Sequence, residues 1–350
     1  MSSYDVDFAG LTVPIIAAPM AGGASTPELV AAVNAAGGLG FLAAGYRTAA
    51  AMSEQIARMR VLTDRPFGVN LFVPSSPGGS AHADPAALRA YRAELLPEAE
   101  RWGVQLPAEF AADDDDWAGK LAALLADPVA VVSYTFGLPT RQEADALRAV
   151  GSAQVATVTG PDEARAAELV GVDALCVQGP EAGGHRGTHR VEDEPGALPL
   201  TQLLARVRAV TGLPLIAAGG LGTGAAVADV LRAGAVAAQL GTAYLLADEA
   251  GTSATHRAAL TDPRFGETVV TRVFTGRPAR GLRNAFIDRH TGRAPHAYPE
   301  VHHLTQPLRA AAARRADPQA LHLWAGTAHA TTRPGPAAAI TARLWREARG

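Results

Sequence analysis

The feature that most constrains this chain is a succession of eight short, continuous apolar runs within its first 240 residues, at 13–18, 39–43, 67–73, 129–134, 154–158, 174–177, 215–218 and 236–240. Gly or Pro bounds many of them, and segments of helical period fill most of the gaps. A strand with one wet face alternates apolar and polar residues. A parallel strand covered by helices on both faces reads instead as an unbroken apolar run. Eight such strand–helix units predict an α/β fold, a closed (β/α)8 TIM barrel. With 48% apolar but only 5% aromatic residues, and abundant Ala, the chain suits close helix-on-sheet packing more than an all-β sandwich.

The connecting segments carry ordinary start and stop signals. Ser25 or Thr26 can cap the first helix, with Pro27 at its first position, Glu28 near its positive end and Gly37–Gly38 as its stop. Pro161, Asp162 and Glu163 open the fifth helix, which ends near Gly171. The seventh opens after Gly222, Thr223 and Gly224 and closes at Gly234.

Two segments break the rhythm. Residues 75–127 are too long for one crossover: a Pro/Gly/Ser-rich loop leads into helical pattern from Pro85, predicting a helical insertion over the barrel mouth. Its acidic run, 113–116, reads as a solvated, helix-capping face, because four consecutive carboxylates in a regular element cannot converge on one ion. Everything after Leu246 is the second break, predicted as a C-terminal α/β extension over 247–350 that helps close the mouth. The domain expectation is therefore a barrel over 1–246 with an inserted segment, followed by a small substrate-side domain.

A formal charge of −3 gives no electrostatic reason to expect nucleic acid or an anionic membrane as partner. The single cysteine, Cys176, has no mate, which excludes an intramolecular disulfide and fits a reducing compartment. No apolar stretch reaches the roughly 20 residues of a membrane span, and Asp5 and Asp7 stand where a secretory signal would be basic. A cytoplasmic protein is expected.

Chemistry should collect at the C-terminal ends of the strands. The sixth run leads into Gln178-Gly179-Pro180-Glu181-Ala182-Gly183-Gly184-His185-Arg186-Gly187, where glycines let backbone approach a ligand while one imidazole faces it. After the seventh run stand Gly219, Gly220, Gly222 and Gly224 before a helix, and after the eighth Gln239, Leu240, Gly241 and Thr242. Exposed N–H groups, a hydroxyl and a helix dipole there make an anion site, and loops seven and eight of such barrels frequently hold phosphate. A Rossmann reading of these glycines fails, because no carboxylate follows about 20 residues on. Ala18, Pro19, Met20, Asn70 and Gln178 at other strand ends complete a surround for a flat, phosphate-bearing cofactor. No metal site is expected: His185 and His189 have no nearby partners to complete a ligand set. Cys176 is expected to be buried and inert, and Arg186 to be a solvated surface group.

Ala18-Pro19-Met20-Ala21-Gly22-Gly23-Ala24-Ser25, Gly68-Val69-Asn70, Glu181-Ala182-Gly183-Gly184-His185-Arg186-Gly187, Ala217-Ala218-Gly219-Gly220 and Gln239-Leu240-Gly241-Thr242 together resemble the class I nitronate monooxygenases. The likeness covers roughly 13–246 well and the tail loosely; the Glu-Ala-Gly-Gly-His element is shared with flavin-dependent enoyl-(acyl-carrier-protein) reductases. The resemblance implies non-covalent FMN held by Ala18, Pro19, Met20, Asn70, Gln178, Gly183, Gly219, Gly220, Gln239, Leu240, Gly241 and Thr242. It places His185 beside flavin and substrate, and implies that a nitronate such as propionate 3-nitronate gives an electron to FMN, O2 enters, and a carbonyl product and nitrite leave. Val236 departs from the Asp frequent in the family, within the strand, where little effect on the cradle is expected. Tyr298 and His302 are candidates for the tail's contribution.

An imidazole of ordinary pKa, about 6.5, could either donate to an anionic nitronate or take the α-proton of a neutral nitroalkane. Two other classes share the barrel: an NAD(P)H-dependent flavin reductase of the enoyl-reductase or quinone-reductase kind, and a non-redox phosphate-binding barrel.

Overall fold

The computed structural model describes residues 7, 8, 10–74, 84–109 and 113–350. The first part of the expected insertion loop and most of the extreme N-terminus, Asp5 included, lie outside the described residues.

The expected barrel closes. Its eight parallel strands are β1 (Ile15–Ala17), β2 (Leu39–Ala43), β3 (Gly68–Phe72), β4 (Val131–Thr135), β5 (Ala153–Val158), β6 (Ala174–Gln178), β8 (Leu215–Ala218) and β9 (Ala237–Leu240). Pairing of Ile15 with Ala238 and Ile16 with Gln239 joins the last strand to the first. Between β6 and β8 runs β7 (Gly184–His185), which belongs to a separate antiparallel sheet described below.

Continuous apolarity arises because both faces of each strand are covered. Ile16, Phe41, Val131, Val155, Cys176 and Ile216 fill the barrel interior, while Ile15, Leu175, Val177 and Leu215 pack outward on the helices. Gly68 in β3 illustrates how tight the interior is: a Cβ there would fall 2.2 Å from the Phe41 ring. Asn34, in α1 (Pro27–Ala35), is buried but satisfied: its amide donates to the Pro66 carbonyl (2.9 Å) and accepts the Gly40 N–H (2.7 Å). As the sequence signals predict, the Thr26 hydroxyl caps α1 and Pro27 occupies its first turn.

The ring of helices continues with α2 (Ala49–Leu62). The insertion then contributes α3 (Pro85–Glu94), α4 (Leu96–Trp102) and α5 (Trp117–Ala126). Only the first two leave the barrel; α5 packs beside α2 with Leu121 and Leu124 in the barrel's outer core and serves as its third crossover helix. Helices α6 (Arg141–Ala149), α7 (Pro161–Val170), α8 (Leu200–Arg208) and α9 (Gly224–Arg232) follow in order.

After β9 the chain forms α10 (Ala254–Thr261), β10 (Thr268–Thr271), β11 (Ala279–Leu282), α11 (Ala285–His290), α12 (Glu300–Arg314) and α13 (Ala337–Arg349). The last is not part of an extension. It lies against α9 and α1, with Ile340 and Leu344 in the same core as Leu29 and Val227, and completes the barrel's ring. The segment between β9 and α13 is thus an excursion, and it shares one core with α3 and α4. Tyr91, Leu95 and Trp102 pack with Phe274, Phe286, Leu304 and Leu308, and the Tyr91 hydroxyl donates to the Val273 carbonyl at 2.7 Å. Where the sequence suggested an insertion and a separate tail domain, burial of two amphipathic sets against each other makes a single cap.

The acidic run departs from its expectation at one residue, Asp115. The Asp115 carboxylate, 16% exposed, contacts the Lys120 ammonium at 2.6 Å and accepts the Tyr46 N–H at 2.7 Å. Asp116 accepts the Ala49 N–H at 2.7 Å, so it caps α2 across the interface, and Asp113 meets His303 of α12. Asp113, Asp114 and Asp116 stay exposed, as expected of a solvated, helix-capping run, while Asp115 turns inward and ties the run to α5 and the Tyr46 turn.

Among the described residues no helix is long and apolar enough to cross a membrane.

Candidate active site

A cavity of about 610 Å3 opens at the C-terminal ends of the strands, under the cap. That volume is in the range of roughly 300–1,000 Å3 usual for small-molecule and cofactor sites. The residues that the resemblance assigns to cofactor and catalysis line it: Ala18, Pro19, Met20, Asn70, Gln178, Gly183, His185, Gly219, Gly220, Gln239, Leu240, Gly241 and Thr242.

Their individual environments separate groups free to bind from groups already engaged. The Asn70 amide donates to Ser133 Oγ (3.0 Å) and Thr135 Oγ1 (3.1 Å) on the neighbouring strand. Gln178 holds the His185 loop: its Nε2 donates to the His185 carbonyl (3.0 Å) and its Oε1 accepts the Gly187 N–H (2.8 Å). Gln239 donates to Cys176 Sγ at 3.2 Å. By contrast, among the described residues the backbone N–H groups of Gly220, Gly241 and Thr242 make no hydrogen bond. These residues are half-buried and line the cavity, and an unpaired set of N–H groups at the ends of β8 and β9 fits an anionic ligand group.

The glycine loop after β8 is only partly a cradle. Gly219 and Gly220, with φ of 116° and 71°, line the cavity in conformations that suit glycine. Gly222 and Gly224 serve packing: a Cβ would lie 2.1 Å from Thr331 Oγ1 at the first and 2.2 Å from Glu347 Cβ at the second. The Gly224 N–H donates to Glu347 Oε2 at 3.3 Å, so α13 and Thr223 already cap the α9 terminus expected to face phosphate. Gly183 likewise makes room for the 325–326 backbone, 2.4 Å from where its Cβ would stand.

His185 sits on β7, which pairs with Ala279 of β11; with β10 these form a three-stranded sheet on the cap. The loop after β6 is therefore ordered by the excursion. His185 Nε2 lies 2.9 Å from Thr275 Oγ1, and its ring is framed by Phe136 (5.4 Å), Trp324 (5.6 Å) and Tyr298 (5.9 Å). Phe136 holds φ at 76° and Tyr46 at 66°, unusual for non-glycine residues and frequent at functional sites. Of the two tail candidates, His302 lines the cavity and stacks on Tyr46 at 4.2 Å, whereas Tyr298 stands behind His185.

Electrostatics set the protonation of this end. Burial, reinforced by the charges of Arg277 and Arg309, pushes the His185 imidazole down to about 3. Burial and Arg309 lower His302 to about 2, and burial lowers His256 to about 4. These rings are neutral near pH 7, which differs from the ordinary imidazole expected at His185. Arg277 and Arg309 fall to about 10 through burial and stay charged. A pocket lined by neutral imidazoles and the buried cation Arg309, with a second, Arg277, buried nearby, favours an anion.

Arg277, 1% exposed, donates to the Thr188 carbonyl (2.8 Å) and lies 4.3 Å over the Phe136 ring. Arg186 is also buried, bonded to Gln178 and the Gly196 carbonyl; its expected solvation fails because Arg186 ties down the following loop. Cys176 is 2% exposed and burial lifts its thiol to about 12, an inert group. His189 Nε2 is 3.0 Å from the Thr157 carbonyl, and among the described residues no cluster of three or more His, Cys, Asp or Glu could hold a metal.

Sequence reasoning missed Tyr46, Phe136, Thr275, Arg309, His322 and Trp324. One signal was present for Arg309: it falls on the stripe formed by Val301, Leu304, Thr305, Leu308 and Ala312, where a charge demands a reason. Thr275 and Trp324 lie in loops whose path no local pattern reveals.

Comparison with known proteins gives a consistent result. Residues 6–347 match the family described as nitronate monooxygenase. A nitronate monooxygenase of Pseudomonas aeruginosa is 39% identical over 97% of each chain. The crystal structure of a nitroalkane oxidase from Streptomyces ansochromogenes superimposes with a TM-score of 0.93, at 48% identity over 98% of this chain and 97% of that one. FabK from Thermotoga maritima, at 23% identity and a TM-score of 0.74 over 100% of this chain and 96% of that one, shares the fold.

Proposed function

The chain belongs to the nitronate monooxygenase family, and on that premise we propose that it is an FMN-dependent oxidoreductase converting small alkyl nitronates, such as propionate 3-nitronate, with O2 into a carbonyl compound and nitrite. The observation carrying this reading is the polarity of one cavity: unpaired backbone donors at one end, and His185 in a cationic surround at the other.

The cofactor's phosphate fits the free N–H groups of Gly220, Gly241 and Thr242. Ala18, Pro19 and Met20, with Asn70, Gln178 and Gln239, line the space left for its ring system. When bound, FMN supplies the electron-accepting chemistry that no side chain of the cavity offers.

The chain's own residues bind and orient. A nitronate is already an anion, so it needs donors and positive potential, which Arg309 and the neighbouring rings provide. A neutral nitroalkane needs its α-proton removed as well. His185 is in the form that can accept one, but Arg277 and Arg309 oppose the charge that acceptance would create. Nitronates are therefore the better substrates. The aromatic frame of Phe136, Tyr298 and Trp324 orients the imidazole.

Purified protein should be yellow and should consume oxygen on addition of propionate 3-nitronate. Anaerobic mixing with NADH or NADPH should leave the flavin oxidised. Rapid bleaching by either, with no nitronate turnover, would make it a flavin reductase; a colourless protein that takes up no FMN would make it a non-redox barrel.

A further inference from the structure

Arg309 is 7% exposed on the inner face of α12, yet among the described residues it forms no ion pair. Its Nε donates to Thr305 Oγ1 at 3.1 Å, and its Nη2 reaches the His302 carbonyl at 2.8 Å and His302 Nδ1 at 3.3 Å. Nη1 makes no hydrogen bond within the described residues and is not sealed from the cavity, which Arg309 lines. A guanidinium buried without counter-charge is costly unless a ligand brings the anion. The rings around it, His185, His302 and His322, are neutral, so nothing nearby competes for that role.

Arg277 is buried and positive too, but it does not line the cavity. It spends its guanidinium on the Thr188 carbonyl and the faces of Phe136 and Tyr298. The phosphate end has its own donors in Gly220, Gly241 and Thr242. Arg309 alone combines a fixed charge, free donors and access.

We propose that Arg309 is the substrate's anion anchor: its Nη1 donors grip the nitronate oxygens, so the enzyme selects nitronate over neutral nitroalkane at binding. This rests on the functional reading above. A planar fork carrying a permanent charge suits a planar oxyanion with two acceptor oxygens. A neutral nitro group, with weaker acceptors, gains far less from it.

The test uses the flavin-loaded enzyme and its Arg309→Met and Arg309→Lys variants. Steady-state kinetics compare ethyl nitronate with nitroethane, and nitrate, a planar unreactive oxyanion, is titrated against the flavin spectrum. Arg309→Met should raise the nitronate KM and the nitrate Kd about 10–100-fold, the usual scale of a hydrogen bond to a charged group. Flavin content and nitroethane KM should stay within about twofold, and Arg309→Lys, which keeps the charge but loses the fork, should lie between. If Arg309→Met does not fold, Arg309→Lys carries the comparison. Unchanged nitronate KM and nitrate Kd overturn the proposal. So does loss of FMN from either folded variant, which would put Arg309 on the cofactor. Wild-type enzyme inert to nitronate would refute the functional reading, while the nitrate titration still decides the anchor.

Discussion

His185 Nε2 lies 2.9 Å from Thr275 Oγ1, a contact that couples the loop after the sixth barrel strand to the cap. The Thr275 hydroxyl has one other neighbour, the Arg277 carbonyl at 3.4 Å, which can only accept. The hydroxyl hydrogen therefore goes to one of the two, and either choice fixes the ring plane and its tautomer.

His185→Asn follows from that arrangement. It keeps a polar contact but removes the proton acceptor. Turnover of neutral nitroalkanes should fall by about 10²–10⁴, the span of a general base, while preformed nitronates lose about tenfold or less and FMN stays bound. Thr275→Val should show a milder form of the same split, restored by Thr275→Ser. Equal losses on both substrates would remove the proton-accepting role.

The neutral histidines set the response to acid. His185, His256 and His302 lie at about 3, 4 and 2 when folded, against about 6.5 in the unfolded chain. Below pH 6.5 the unfolded chain binds protons that the folded one refuses, so stability declines from there toward pH 4 and is insensitive to these groups above pH 7. The slope is at most about 1.4 kcal/mol per pH unit per histidine. Thermal melting at pH 7.5, 6 and 5 should show it, and His256→Gln should flatten it. A Tm unchanged from pH 7.5 to 5 would contradict it.

The Lys120–Asp115 pair supports the Tyr46 turn. Lys120 is 1% exposed, and burial, opposed by Lys120, lifts the Asp115 carboxyl to about 6. Removing one partner of a buried pair typically costs about 3–5 kcal/mol. Lys120→Met should approach that by chemical denaturation and raise KM, since Tyr46 stacks on His302. Adding Asp115→Asn should recover part of the loss; additive losses would show that the two act separately.

Much of this architecture was legible because a short, unbroken apolar run between Gly or Pro fits little besides a strand covered on both faces: all eight strands were identifiable from residues 13–240. What pattern cannot supply is partnership across sequence distance. The helix at 337–349 is amphipathic like any other, and nothing local says that it completes a ring begun at residue 15. The strand-end residues were legible for a similar reason, since a barrel brings such ends together. The opposite wall was not: Thr275, His322 and Trp324 come from cap loops, and only Arg309, a charge on a buried stripe, left a trace. Gly222 and Gly224 misled because a glycine demanded by packing reads like one demanded by a ligand.

Gly220 tests the phosphate end. At φ 71°, an added Cβ would also stand 2.9 Å from Glu181 Cβ. Left-handed backbone costs a non-glycine residue roughly 1–2 kcal/mol, so Gly220→Ala should fold but retain less FMN after gel filtration. Retention equal to wild type would move the phosphate elsewhere.

Nitrite release and oxygen uptake, measured together on adding propionate 3-nitronate to the purified flavoprotein without NADH or NADPH, test the central claim most directly. Prompt formation of nitrite with matching oxygen consumption, abolished by prior removal of FMN, is the predicted result. No nitrite and no oxygen uptake from FMN-replete enzyme would contradict it.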